Sequence, residues 1–344
     1  MKPELKDLLA TIRIIVLYSS TFFLPGSALA EEVRYGGMCN ASAALALDAQ
    51  HFIVADDEDN ILRIYDKNIP AKPVQTVLLA KLFAGEIQEG EDLEIDLEGA
   101  AMLGDKLYWI GSHSASKKGK FRPARHRLFA LNVKPDDNGK FVTTRIGHIY
   151  THLVADLEKD SRFDKYKFHQ AKSIKPKEIG GLSIEGLAGT PEGALMIGFR
   201  NPLSGGKVEE GKLNNGQAVL VTLLNPLDVI EGKGARFGDP IDLDLDGYGI
   251  RSIELLNDEK FLIVAGPYHE SVEAENTGKG PSRLYLWSSG KPRWLDNINH
   301  RGLNIEAAFI CPQKANLSVQ FLSDDGKPKC ENSFRSRTEI LEIP

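Results

Sequence analysis

Five short segments of this 344-residue chain each place one residue of the same rank before an apolar strand: Ser42, Glu98, Glu185, Arg251 and Glu306. The segments are Cys39-Asn40-Ala41-Ser42-Ala43-Ala44, Ile95-Asp96-Leu97-Glu98-Gly99-Ala100-Ala101, Gly181-Leu182-Ser183-Ile184-Glu185-Gly186-Leu187-Ala188, Tyr248-Gly249-Ile250-Arg251-Ser252-Ile253 and Gly302-Leu303-Asn304-Ile305-Glu306-Ala307-Ala308. Three carboxylates in a narrow space repel one another and lose hydration, so something must offset them. Arg251 can neutralise one. A hard cation taking oxygen ligands, such as Ca²⁺, can neutralise the others through Glu98, Glu185 and Glu306. Such an ion polarises a phosphoryl or carbonyl oxygen and activates water. On that reading Glu98, Glu185 and His113 are the catalytic candidates. Ser42, Arg200, Asn201, Arg251, Tyr268 and His269 are the candidates for gripping a ligand. The same residues also fit a polar plug of ion pairs and water that keeps the fold in register.

The elements that would position these residues follow from the repeat. Each copy is followed by a turn and a second apolar strand: Phe52–Ala55, Tyr108–Gly111, Leu195–Gly198, Leu262–Ala265 and Leu317–Gln320. The spacing from the repeated residue to the last residue of that strand is thirteen or fourteen in all five copies. The turns between them are small, polar or glycine-containing, as tight hairpins require. Third strands follow at Ile61–Tyr65, Arg127–Leu131, Ala218–Thr222 and Leu284–Trp287, with a fourth, alternating strand at Ile241–Leu245. A repeated four-stranded meander describes an all-β β-propeller. The longest interval holds a charged, roughly helical stretch at about 150–170. Five blades plus this insertion is the preferred count, and six blades the alternative. Thr338–Ile343 gives the last unit only a third strand, and Glu31–Tyr35 can supply its fourth and close the ring. All five repeated residues then lie at one mouth of the central channel. The loops between second and third strands face them, carrying Asp56, Asp57 and Glu58, Ser112 and His113, Arg200 and Asn201, Tyr268 and His269, and Asp324 and Asp325. The small residues Ala55, Gly111, Gly198 and Ala265 would let a ligand or a neighbouring backbone come close.

Net charge is −6, which disfavours nucleic acid as a bulk partner. The densest basic run, Lys117-Lys118-Gly119-Lys120 with Arg122, Arg125 and Arg127, reads as a solvated loop. Asp242-Leu243-Asp244-Leu245-Asp246-Gly247 opens like a calcium loop, but Ile253 stands where its closing Glu belongs. Gly181-Leu182-Ser183-Ile184-Glu185 lacks the last glycine of a nucleophile elbow. Lys2, Lys6 and Arg13, the apolar Ile14–Leu17 and Phe22–Leu24, and Ala28-Leu29-Ala30 form a signal peptide removed after Ala30. The expected product is one propeller domain, 31–344, monomeric, with no membrane span, in the periplasm or outside the cell. Export permits one disulfide among Cys39, Cys311 and Cys330. Cys39 and Cys330 fall on the channel-mouth face of adjacent units and are the expected pair, with Cys311–Cys330 the shorter alternative.

Asp96–Ala101, Ser183–Ala188, Gly198-Phe199-Arg200-Asn201-Pro202 and Gly249–Glu254 resemble a secreted bacterial family known as a domain of unknown function. That family is distantly similar to the esterase-like phytase domain and to propeller lactonases, which share Glu-Gly at the start of a strand. The resemblance implies a propeller and no established activity. Ser42 and Arg251 depart from the Glu of the pattern. Three functions fit: a metal-assisted esterase or phosphoesterase acting on a small anionic ligand or exported substrate, a non-catalytic propeller binding a small ligand, glycan or protein, and a structural propeller with an inert channel.

Overall fold

Alternate residues of one strand show how the sequence builds the architecture. In His51–Asp56, Phe52 and Val54 pack into one apolar cluster, while Ile53 and Ala55 pack into another. Both faces of the strand are therefore covered, and its sequence is continuously apolar rather than alternating. Phe261–Gly266 behaves in the same way, with Phe261, Ile263 and Ala265 on one side and Leu262 and Val264 on the other.

The computed structural model describes residues 32–342 apart from 85, 87–93, 210–211, 258, 270–281, 299, 301, 313–315, 325 and 327–329. After β1 (Glu32–Gly36), blade 1 comprises β2 (Ala41–Ala46), β3 (His51–Asp56), β4 (Ile61–Asp66) and β5 (Gln75–Leu78). Blade 2 comprises β6 (Leu97–Leu103), β7 (Lys106–Gly111), β8 (Leu128–Pro135) and β9 (Phe141–Tyr150). Blade 3 has β10 (Ser183–Gly189) and β11 (Leu195–Asn201), then a separate hairpin of β12 (Lys207–Glu209) and β13 (Lys212–Asn214), then β14 (Ala218–Leu223) and β15 (Ile241–Leu243). Blade 4 comprises β16 (Gly249–Leu255), β17 (Phe261–Gly266), β18 (Arg283–Trp287) and β19 (Arg293–Trp294). Blade 5 runs β20 (Ile305–Ile310), β21 (Ser318–Ser323) and β22 (Ser333–Ile340), with β1 as its outer strand.

The first strands touch in a closed cycle, β2 to β6, β10, β16, β20 and back to β2. Five apolar clusters each join two neighbouring blades, and the fifth joins blade 5 to blade 1. The count is therefore five. The ring closes through antiparallel β1–β22 pairing, from Glu32 opposite Arg337 to Gly36 opposite Ser333. The Cys39–Cys330 disulfide spans the same junction with Cα atoms 5.4 Å apart, and Cys311 is a buried free thiol.

The stretch at 150–170 is helical, with turns at Leu153–Leu157, Ser161–Tyr166 and Phe168–Ala171. Leu153, Leu157, Phe163, Tyr166 and Phe168 join the core shared by blades 2 and 3. Asp242 anchors it, accepting from the Tyr166 hydroxyl at 2.7 Å and from Lys165 Nζ at 2.6 Å. Asp246 is likewise taken, by Arg283 and Tyr285, which accounts for two aspartates of the calcium-loop look-alike. Among the described residues no helix is long and apolar enough to cross a membrane. The segment expected as signal peptide lies outside the described residues.

One register differs from expectation. The hairpin between β20 and β21 is longer than in the other blades, so Ala307 pairs with Leu322 rather than with a residue near Gln320. The loop facing the axis therefore begins after Ser323. Gly198 also has a different role. A Cβ there would lie 2.6 Å from Ile250 of blade 4, so the glycine serves blade-to-blade packing rather than ligand approach.

Candidate functional site

Each of the five repeated residues occupies a bulge. The β2–β3 register shifts between Ala41 and Ala43, β6–β7 between Leu97 and Gly99, and β10–β11 between Ile184 and Gly186. The same shift falls between Ile250 and Ser252 in β16–β17, and between Ile305 and Ala307 in β20–β21. Ser42, Glu98, Glu185, Arg251 and Glu306 are thus the extra residues. A bulge re-aims its side chain and is common beside active sites. The five axial strands run the same way, so the bulges gather at one end of the axis.

Two of the carboxylates are matched by arginines. Arg200 donates from Nη1 to Glu185 Oε1 at 2.8 Å and from Nε to the Pro267 carbonyl at 2.9 Å. Arg251 pairs with Glu306 and lies 3.9 Å from Glu185 Oε2. Glu185 is only 3% exposed. Burial, then Arg200, lowers Arg251 to about 10, against the pull of Glu185 and Glu98. Gly249 permits this packing, because a Cβ there would sit 2.0 Å from the Arg200 carbonyl oxygen. Ser42 is buried and donates to the Leu97 carbonyl at 2.5 Å, tying blade 1 to blade 2 beside Glu98.

Glu98 is not matched. Among the described residues it makes no ion pair, and burial followed by the charges of Glu185, Asp96 and Asp57 pushes it well above the usual carboxylate range, against the pull of Arg200. Its neighbours are Asp57 and Asp96, and one oxygen from each of the three lies within 4.8 Å of the others. Asp57 follows β3. Burial, then Asp96 and Asp324, raises it to about 8, and its buried Oδ1 has no hydrogen-bond partner. Asp96 is held from behind by Arg125 at 2.8 Å and by the hydroxyls of Ser112 and Ser114. Its φ of 56° is left-handed, a conformation that Asp tolerates better than most residues. Three converging carboxylate oxygens, two of them on side chains without an ion pair among the described residues, suit a hard cation such as Ca²⁺.

The other candidates fall elsewhere. His113 is completely buried and has a left-handed φ of 54°. Its Nδ1 donates to the Gly111 carbonyl, its ring packs on His126, and burial lowers its pKa to about 4. Asn201 donates to the Pro176 and Glu178 carbonyls. The Tyr268 hydroxyl accepts from Leu213 N at the β12–β13 hairpin, and His269 lies beside the Tyr268 ring. The structure thus gathers Ser42, Glu98, Glu185, Arg200, Arg251 and Glu306. It spends Asn201 and Tyr268 on the scaffold and adds Asp57 and Asp96. A sequence signal for Asp96 existed. The residue two before the repeated position is Asn40, Asp96, Ser183 or Asn304 in four copies. Ser183 and Asn304 each donate to the carboxylate two residues on.

The chain is therefore a five-bladed propeller with a polar, acid-rich end to its axis. Residues 40–149 and 134–312 match the family described as "Protein of unknown function (DUF3616)", and the chain belongs to that family. No curated protein matches it. Among solved structures it is similar to a GH43_1 enzyme from Xanthomonas citri, at 10% identity and TM-score 0.45 over 91% of this chain and 90% of that one. It is similar to glutaminyl cyclase from Myxococcus xanthus, at 13% and 0.40 over 91% and 96%. It is also similar to a gluconolactonase from Xanthomonas campestris, at 10% and 0.37 over 86% and 73%. Likenesses this distant assign no activity.

Proposed function

We propose that this is an exported propeller that binds a hard divalent cation, Ca²⁺ by preference, through Asp57, Asp96 and Glu98, and hydrolyses a small ester or phosphoester there. The carrying observation is the convergence of three carboxylate oxygens within 4.8 Å, two of them on side chains that make no ion pair among the described residues. The predicted set Glu98, Glu185 and Glu306 is narrowed to Glu98, because arginines already neutralise the other two. A bound cation would supply Lewis acidity and an activated water. Arg125, Ser112 and Ser114 orient Asp96, which would hold the ion together with Asp57 and Glu98. The Cys39–Cys330 disulfide supports folding in an oxidising compartment after cleavage at Ala30.

The test is calorimetric titration of Ca²⁺ and Mg²⁺ into the exported protein, followed by turnover of p-nitrophenyl acetate and p-nitrophenyl phosphate with and without chelator. Cation binding with chelator-sensitive turnover supports the reading. No binding at millimolar cation overturns it. Binding without turnover leaves the non-catalytic propeller, which the commitment of Arg200, Asn201 and Tyr268 to scaffold contacts favours as the second reading.

A further inference from the structure

On the flank of blade 2, apart from the axial carboxylates, lies a groove of about 480 Å³ whose walls include Glu86, Phe121, His126, Arg127 and His152. His126 is only 6% exposed, yet its Nε2 has no hydrogen-bond partner. A buried polar atom left unpaired in a native fold needs an account. Phe121 lies against it, with ring centroids 4.6 Å apart, and is itself 54% exposed. The exposed Phe121 ring offers a flat apolar face to a ligand, beside the edge of the tilted, buried imidazole.

Among the described residues the charge of the walls is one-sided, and their one carboxylate, Glu86, is tied to Arg145 at 2.5 Å. Arg127 contributes a guanidinium, and Lys172 is near enough to act on His126 electrostatically. The loop forming this wall carries the chain's densest basic run, Lys117 to Arg127. The field there favours an anion.

We propose that this groove binds a small planar ligand bearing an acid group, carboxylate or phosphate, with the flat body on Phe121 and the acid group toward His126 and Arg127. The site goes beyond the cation site and does not depend on it. The two share only the 112–127 loop, whose Arg125 holds Asp96.

The probes are benzoate and phenylphosphonate, titrated into the chelator-treated exported protein and followed by ligand-observed NMR, with butyrate as the non-planar control. Both planar probes are expected to bind at millimolar concentration, and butyrate much more weakly. Phe121→Ala should weaken them at least about threefold. His126→Gln should weaken them about tenfold, and Glu98→Gln should leave them unchanged. Phe121 is exposed, so its substitution reads out even where His126→Gln disturbs folding. Failure of both planar probes to bind overturns the proposal. So does binding unaffected by Phe121→Ala, or binding lost in Glu98→Gln, which would place the probe at the axis.

Discussion

Replacing Asp57 by Asn should make the cation-free protein more stable. In the fold Asp57 titrates near pH 8, against an ordinary value of 3.8, because burial and the charges of Asp96 and Asp324 disfavour its ionised form. Its folded pKa is raised, so the stability it contributes is full below about pH 4. That stability is lost as pH rises toward 8, at about 1.4 kcal/mol per unit. At pH 7 the accumulated loss is up to about 4 kcal/mol. Asn carries no proton to lose, so the variant should recover much of that difference in chelator and flatten the pH dependence. Ca²⁺ works against this gain, adding about 2.7 kcal/mol to the wild type at a hundredfold excess over Kd and nothing comparable to the variant. Urea unfolding of both proteins at about pH 5 and about pH 8, in chelator and in Ca²⁺, measures all of this. A variant that is less stable than wild type in chelator, or that keeps the wild-type pH slope, would refute the reasoning.

Glu185→Gln should act in the opposite sense. It removes the carboxylate that Arg200 contacts at 2.8 Å in a buried site, at a cost of about 3 kcal/mol or more in urea unfolding. Calorimetry should show Ca²⁺ affinity held within about tenfold, since Glu185 is not one of the converging three. Cys39→Ser should cost about 2–4 kcal/mol and abolish the effect of reductant on Tm. The disulfide joins residues 291 apart in sequence, so the unfolded chain gains much freedom without it. Gly249→Ala should destabilise by about 2 kcal/mol or more, because the new Cβ would lie 2.0 Å from the Arg200 carbonyl oxygen. A thermal melt within a degree or so of wild type would show that the blade 3–blade 4 contact gives way easily.

The blades were legible because the propeller buries both faces of its second strands. Runs such as Phe52–Ala55 and Leu262–Ala265 are continuously apolar, and their distance from the repeated residue is held by a common hairpin length. Ring closure was legible by elimination, since the last unit lacked a strand and the N-terminus offered one. Blade 5 was misread where that hairpin length changes. Leu317–Gln320 satisfies the spacing, but the paired strand is Ser318–Ser323. The convergence of the repeated residues was readable from topology, whereas the partition of their charges was not. Whether Glu185 meets Arg200 or a cation depends on side-chain directions that no spacing encodes. Asp57 was placed on a loop facing the channel mouth and Asp96 in the repeated segment, but nothing in the spacing showed that their oxygens converge with that of Glu98. The fate of His113 turns on a single left-handed φ.

The axial ring therefore divides into two parts with different energetics. On the side of blades 3, 4 and 5, Glu185, Arg200, Arg251 and Glu306 form a network in which each acid has a base, and Ser183 and Asn304 supply further hydrogen bonds. On the side of blades 1 and 2, Asp57, Asp96 and Glu98 converge with one arginine among them, and that arginine also serves Glu94. A plug selected only for stability has no reason to leave the second part open, because each unmatched buried acid costs free energy above its ordinary pKa. Repair by a single amide would be simple. That imbalance is what the proposed cation would offset, through three oxygens within 4.8 Å of one another. The two substitutions separate the cases by their response to Ca²⁺. If the site holds a cation, Ca²⁺ raises the stability of the wild type and of Glu185→Gln but not of Asp57→Asn, whereas a plug responds to Ca²⁺ in none of the three.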